Sequence, residues 1–464
     1  MNHYPLPKHK FIPELDPDFR PVALEIRNFL EAAGSGKAAP LIIGLERGDG
    51  QFSVFETKIF QERTGMEALN RRYLERLVKS LLWIRGGFKV MIGGPARIAE
   101  FIKQIYAPGG IREFDAGFMG RIYEKPFQVE VCGIDEVPPA KEGAHPAGRH
   151  FKGCRIGFDA GGSDWKVAAV IDGKVVYSKE AVWHPKSESD PAYHYREILS
   201  ALKTAATHLP RVDAIGVSAA GVYINNRVMA ASLFRKVPDN LFKGQVRDLF
   251  IRIQHEMGGV PLEVANDGDV TALAGAMELG AGRVLGIAMG TSEAGGYVNA
   301  QGNLTGWLNE LAFAPVDLNP RAPVDEWSGD FGCGASYFSQ EAVIRLAYVA
   351  GITLEETLTP AEKLTKVQEL HEKGDAKAEK IFETIGIYLG YALAYYAEFY
   401  DLEHVLILGR VTSGKGGTLI LHKAREVLAS EFPDLAGKIR IHLPDESCRR
   451  VGQAVAAASL AAVD

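Results

Sequence analysis

The segment Asp159-Ala160-Gly161-Gly162-Ser163-Asp164-Trp165-Lys166 sets an acid, two glycines, a hydroxyl and a cation between two apolar runs. Those residue types suit a nucleotide phosphate site. Backbone N–H groups at Gly161 and Gly162 can approach phosphate oxygens with no Cβ in the way, while Ser163 adds a hydroxyl and Lys166 a positive charge. Asp159 would face a hydrated Mg²⁺. The runs Arg155-Ile156-Gly157-Phe158 and Val167-Ala168-Ala169-Val170-Ile171 read as buried strands, with Asp172-Gly173 as the turn into Lys174-Val175-Val176-Tyr177. Walker loops and dinucleotide fingerprints each open a helix, so a strand on the far side argues against both. An ordinary hairpin with a glycine turn uses the same residues, and the segment alone leaves both readings open.

The elements that follow repeat the theme. Tyr193 to His208 reads as a helix, Val212 to Ser218 as a strand, and Leu262-Glu263-Val264-Ala265-Asn266-Asp267 as a strand ending in polar residues. A second glycine hairpin enters through Arg283 to Met289, turns at Gly290-Thr291-Ser292-Glu293-Ala294-Gly295-Gly296 and leaves through Tyr297-Val298. Strand, glycine and hydroxyl turn, strand is the plan of the first hairpin again. This implies an internal duplication, with two similar domains facing one cleft.

Composition bounds the alternatives. The 464 residues, 47% hydrophobic and 24% charged, are those of a soluble globular protein of about three domains. A net charge of -6 gives no basic footprint for nucleic acid. No apolar run reaches membrane-spanning length and Met1 to Lys8 lacks a signal-peptide core, so a cytoplasmic location is expected. Cys132, Cys154, Cys333 and Cys448 form no C-x-x-C pair and are expected to be buried reduced thiols.

Val137 to Gly148 has linker composition and separates an N-terminal stretch. There Leu41 to Leu45 and Phe52 to Phe55 read as a strand pair joined through Arg47-Gly48-Asp49-Gly50. A helix follows around Leu69 to Trp83, then a strand from Phe88 to Pro95 and a helix from Ala96 to Tyr106. The mixed charges of Arg71 to Lys79 read as a solvated helix face.

Taken in order, these motifs resemble the ROK family of sugar kinases within the actin, hexokinase and Hsp70 superfamily, over residues 153 to 464. The resemblance covers the first phosphate motif at Asp159 to Ser163 with Lys166, the second at Gly290 to Gly296, and the Asn266-Asp267 corner before a small-residue helix. An adenosine loop at Val405 to Gly414 and a closing small-residue helix at Val451 to Ala458 complete it. It implies an α/β, two-lobed, duplicated ribonuclease H-like fold of the actin/hexokinase type with an extra N-terminal α/β domain. The expected division is 1–150 for the extension, 151–265 plus 447–464 for lobe I, and 266–446 for lobe II.

The implied activity is ATP- and Mg²⁺-dependent phosphorylation of a hydroxyl on a sugar or sugar-like molecule. A hydroxyl is a poor nucleophile at neutral pH, so a carboxylate must take its proton. Asp267 is the expected base, with Asp269 as the cap of the following helix. Asn266 and Glu310 would hold substrate, and Asp159 would orient Mg²⁺ through water. Gly161, Gly162, Ser163, Lys166, Gly290, Thr291, Ser292, Gly409, Arg410 and Gly414 would hold the nucleotide, and the lobes would close on it.

The chain departs from the family where the sugar is held. Phe313 stands in place of a histidine, and the cysteine-rich zinc stretch has become Gly329-Asp330-Phe331-Gly332-Cys333-Gly334-Ala335-Ser336-Tyr337. No zinc site is expected there, and Ala335 replaces a second sugar glutamate. Three readings compete: a kinase for another sugar, polyol or amino sugar with Phe313 and Trp307 as an apolar wall; a ligand sensor without turnover; and a transcriptional regulator. The N-terminal stretch matches no known module, and two readings stand for it: an unrelated α/β extension, or a degenerate extra α/β lobe that packs on the kinase and covers its cleft or mediates a homodimer.

Overall fold

The computed structural model describes residues 8–36, 38–143, 148–443 and 446–463, with side chains in the last stretch described from Gly452 onward. Residues 144–147 of the expected linker, and the Cys448 side chain, lie outside it. The chain divides into two compact units. The first is Met1–Gly143, Ala288–Ala294 and Trp307–Leu443; the second is Ala144–Ile287, Gly295–Gly306 and Pro444–Asp464. These boundaries differ from the expected ones, because the N-terminal segment shares a unit with residues 307–443 and helix Asp267–Leu279 falls with the first hairpin.

In the first unit, β1 (Ala38–Glu46), β2 (Phe52–Phe60), β3 (Lys89–Gly93) and β4 (Gln128–Cys132) form a sheet in the order β2-β1-β3-β4. β1 is antiparallel to β2 and β3, and β3 is parallel to β4. Helix Glu67–Arg85 buries most of its length from Tyr73 onward. The expected solvated face is therefore a correction: Glu75, Arg76 and Lys79 are buried. They can be buried because they are mutually neutralised. Arg76 forks onto Asp330 with bonds of 2.8 and 3.2 Å, Lys79 Nζ lies 2.7 Å from the same carboxylate, and Arg112 bridges Glu75, Asp115 and Asp330. This cluster joins the N-terminal segment to the loop at Asp330 within one core.

In the second unit, β5 (Cys154–Ala160), β6 (Asp164–Ile171), β7 (Lys174–Val182), β8 (Ala214–Ala219) and, after a small hairpin of β9 (Val222–Ile224) and β10 (Arg227–Ala230), β11 (Leu262–Asn266) give the order β11-β8-β5-β6-β7. β5, β6 and β7 are antiparallel neighbours, whereas β8 and β11 run parallel to β5. Asp172 and Gly173, both with positive φ, make the expected tight turn between β6 and β7. Gly157 and Gly216 stand opposite each other on β5 and β8. Helix Glu446–Ala458 lies so close to them that a Cβ at either would overlap the carbonyl of Ala454 or Ala457. The two strand glycines are thus needed for that helix to reach the sheet.

β12 (Val284–Met289) and β13 (Glu293–Val298) form the second hairpin, in a sheet ordered β13-β12-β14-β15 with β14 (His404–Leu408) and β15 (Arg440–His442). Among the described residues, no helix is long and apolar enough to cross a membrane.

Candidate active site

In the second unit the hairpin places Asp159 next to the last residue of buried β5, two residues before Gly161 of the Gly161-Gly162-Ser163 turn. Opposite it, Lys166 pairs in register on β6, and Ser218 pairs in register on β8. Ser218 Oγ donates to Asp159 Oδ1 at 2.8 Å. Burial pushes the Asp159 carboxyl up to about 6; the Ser218 bond and the Lys166 charge pull it down, and the nearby Asp267 charge pushes it further up. The turn is buttressed from behind, since Trp183 Nε1 donates to the Gly161 carbonyl at 2.8 Å and Trp183 N donates to the Ser163 carbonyl.

Asp267 opens helix Asp267–Leu279 immediately after β11. Its carboxyl is raised by burial, against bonds from the backbone N–H groups of Gly268 and Asp267 and the positive charge of Lys186. The helix is capped by Asn266, not by Asp269: Asn266 Oδ1 accepts from Gly268 N at 2.7 Å. Its amide nitrogen donates to the Gly221 carbonyl at 2.7 Å. Both ends of that side chain therefore serve the fold, leaving one N–H and one lone pair of the amide beyond these two bonds. Asp269 Oδ1 instead accepts from Tyr297 N. Gly268 and Gly296 meet backbone to backbone, where a Cβ on either would overlap the other strand or helix. Gly296 of the second hairpin is thus required for packing of this helix.

Together Asp159, Gly161, Gly162, Ser163, Lys166, Asn266 and Asp267 belong to the second unit, and the Asp159 and Asp267 carboxylates feel one another. Sequence patterns did not reveal their supports. Ser218, Trp183, Lys186 and Arg235 belong to this corner too, and none sits in a recognisable spacing.

The first unit holds the remaining candidates. Gly290, Thr291 and Ser292 form the tip of the second hairpin, with Gly290 N donating to Ser292 O. Gly409 has φ 98, and a Cβ there would overlap the Met289 backbone, so the loop after β14 lies directly on the strand that leads into that tip. Arg410 follows in a short 3-10 turn, and Gly414 precedes helix Lys415–Glu431.

Glu310 belongs to the same unit. Its backbone N–H bonds the Trp83 carbonyl, and its charge reaches buried Glu293. Phe313 is 5% exposed and stacks on Trp83 at 4.1 Å, with Phe114 and Trp327 around it. Trp307 donates to Glu142 at 2.9 Å and lies under Arg85. The Phe313 ring is thus enclosed against Trp83 and Phe114 of the N-terminal segment, while Trp307 is only half-buried. Cys333 is buried, and burial raises its thiol to about 11.

Comparisons with known proteins agree with this topology. No curated protein matches the chain. Among solved structures it is similar to a ROK hexokinase from Thermus thermophilus, at 22% identity and a TM-score of 0.51, covering 66% of this chain and 97% of that one. It is also similar to a ROK family transcriptional regulator homologous to the MLC protein of E. coli, at 18% identity and a TM-score of 0.53, covering 66% of this chain and 78% of that one. At such identities the likeness establishes the fold, which an enzyme and a regulator share. The ROK family pattern itself matches residues 155–440, more than half of the sequence, and on that match the chain belongs to the ROK family.

Proposed function

We propose that this protein transfers a phosphoryl group from ATP to a hydroxyl of a sugar or sugar-like small molecule. The observation that carries the reading is the carboxylate pair of the second unit, Asp159 and Asp267, both raised above their ordinary range by burial and set beside the Gly161-Gly162-Ser163 turn. Two desolvated carboxylates that repel one another suit a bound divalent cation, and Asp159 is the residue to orient Mg²⁺ through water. Mg²⁺ with ATP would supply the electrophilic phosphoryl group and neutralise charge on it.

The chain's own residues do the rest. Asp267 accepts the proton of the acceptor hydroxyl, and its burial makes it a stronger base than a solvated aspartate. Ser218 fixes the Asp159 rotamer, while Lys166 and the backbone N–H groups of the turn bind phosphate oxygens. In the first unit, Gly290-Thr291-Ser292 and the adjoining Gly409-Arg410 loop are the proposed nucleotide surface, supported by their contact through Met289. Gly414 closes that loop, and Glu310 is the proposed substrate contact of this unit.

The test is ADP release from protein supplied with ATP, Mg²⁺ and a panel of sugars, polyols and amino sugars. One member should turn over, and Asp267→Asn should abolish release while nucleotide still binds. Ligand binding with no ADP release by the unaltered protein would favour the sensor, and DNA binding by the whole chain the regulator, a reading kept by the likeness to a ROK regulator.

A further inference from the structure

Beside the phosphate-type turn of the second unit lies a cation that no motif announces. Lys186 follows β7 in the segment Trp183-His184-Pro185-Lys186, and its side chain is half-buried. A Cβ built on Gly162 would come within 2.8 Å of both Lys186 Nζ and Cε. The ammonium therefore lies against the backbone of the turn, in space that a side chain at 162 would fill. Arg235 adjoins it, its Nε donating to the Lys186 carbonyl at 3.3 Å. Among the described residues, no carboxylate lies within ion-pair distance of Lys186 Nζ.

The electrostatics agree with this geometry. Burial first, and then the Arg235 charge, lower the Lys186 pKa, and only Asp267 raises it. Two neighbouring cations, one of them partly desolvated, against a single carboxylate leave positive charge that a bound anion would balance. Trp183, three residues before Lys186, is fixed by its two bonds to the turn, so the backbone that carries the lysine is tied to the glycines it overhangs.

We propose that Lys186 and Arg235 form an oxyanion site between the Gly161-Gly162 turn and Asp267, with Lys186 as its principal contact and a phosphate-class group as its ligand. The proposal rests on the phosphotransferase reading only for the source of that group. The source is either the terminal phosphate of the nucleotide or an anionic group carried by the acceptor, a sugar phosphate or sugar acid. A lysine provides a point charge that follows a tetrahedral oxyanion through several orientations, and Arg235 adds a planar fork at the more exposed side.

The experiment measures binding, not turnover, so it stands or fails separately from ADP release. Affinities for inorganic phosphate, AMPPNP, ADP, glucose 6-phosphate and gluconate are compared in the unaltered protein, Lys186→Met and Lys186→Arg. Met keeps the length of the stem, and a thermal melt checks that each variant is folded. Lys186→Met should weaken inorganic phosphate by about tenfold or more, the loss expected for one charge-assisted bond. Lys186→Arg should restore most of it, which a packing role would not do. A parallel loss for AMPPNP but not ADP identifies the nucleotide as the source; a loss for glucose 6-phosphate or gluconate with AMPPNP unchanged identifies the acceptor. Phosphate affinity within twofold of the unaltered protein in folded Lys186→Met would overturn the proposal.

Discussion

Asp159 and Ser218 face each other in register across the parallel pair of β5 and β8, and the serine hydroxyl donates to the carboxylate at 2.8 Å. The contact stabilises the ionised form of an acid that burial otherwise drives toward neutrality. Removing the donor in Ser218→Ala should raise the Asp159 carboxyl above about 6. The acid limb of the pH–rate profile for ADP release should then move to higher pH, with a higher Mg²⁺ requirement at pH 6 than at pH 8.

A second consequence concerns stability. A folded carboxyl at about 6, against an ordinary value of 3.8, binds its proton more tightly in the native than in the unfolded chain. Stability from this group is complete below the unfolded value and is lost as pH rises through about 6, a cost on the order of 2–4 kcal/mol at neutral pH. Asp159→Asn keeps an oxygen for Ser218 and removes the charge. In the absence of Mg²⁺ its melting temperature at pH 8 should exceed that of the unaltered protein, with the gap closing by pH 4. Activity should be lost at every pH.

Asp330 holds Arg76, Lys79 and Arg112 in a buried cluster. Burial pushes its carboxyl up, but Lys79, Arg76 and Arg112 outweigh burial and hold it well below the usual carboxylate range. A depressed carboxyl contributes stability above its unfolded pKa and loses it as pH falls through the folded value. Asp330→Ala leaves three cations without their shared partner and should cost about 3–5 kcal/mol, read as a lower urea midpoint at pH 7. The difference from the unaltered protein should shrink in acid.

How much of this was legible follows from the range of each contact. The hairpins, their turns and Asp159 could be read because alternation, glycine and an acid lie within a dozen residues. Ser218 is 59 positions from Asp159, and Asp330 is 254 from Arg76, so no local pattern joins them. Charges at helical spacing look alike whether solvent or a buried counter-charge satisfies them, which is why Glu75, Arg76 and Lys79 read as a solvated face. The cap was misread for a related reason. Asn266 and Asp269 are both good capping residues, and only the point at which β11 ends decides between them. The burial of Phe313 has the same origin, since its stacking partner Trp83 lies 230 positions away in the N-terminal stretch.

The last expectation concerns Glu293, at the start of β13. It is 3% exposed and shares the first unit with Tyr396, which donates to it at 3.4 Å, and with Glu310. Burial raises its carboxyl to about 8; Tyr396 opposes the rise and the Glu310 charge adds to it. Glu293 is therefore mostly protonated at neutral pH. Because the unfolded chain loses this proton near 4.5 and the folded one near 8, stability should decline as pH rises through that window. Glu293→Gln preserves the shape and cannot ionise, so its melting temperature should fall less between pH 5 and 8 than that of the unaltered protein. The site has no spare volume, since a Cβ on Gly334 would overlap Glu293 Oε2 and crowd the Leu311 carbonyl. Gly334→Ala should accordingly destabilise by about 1–3 kcal/mol at any pH. A Glu293→Gln melting curve parallel to that of the unaltered protein from pH 5 to 8 would mean that the native carboxyl titrates normally.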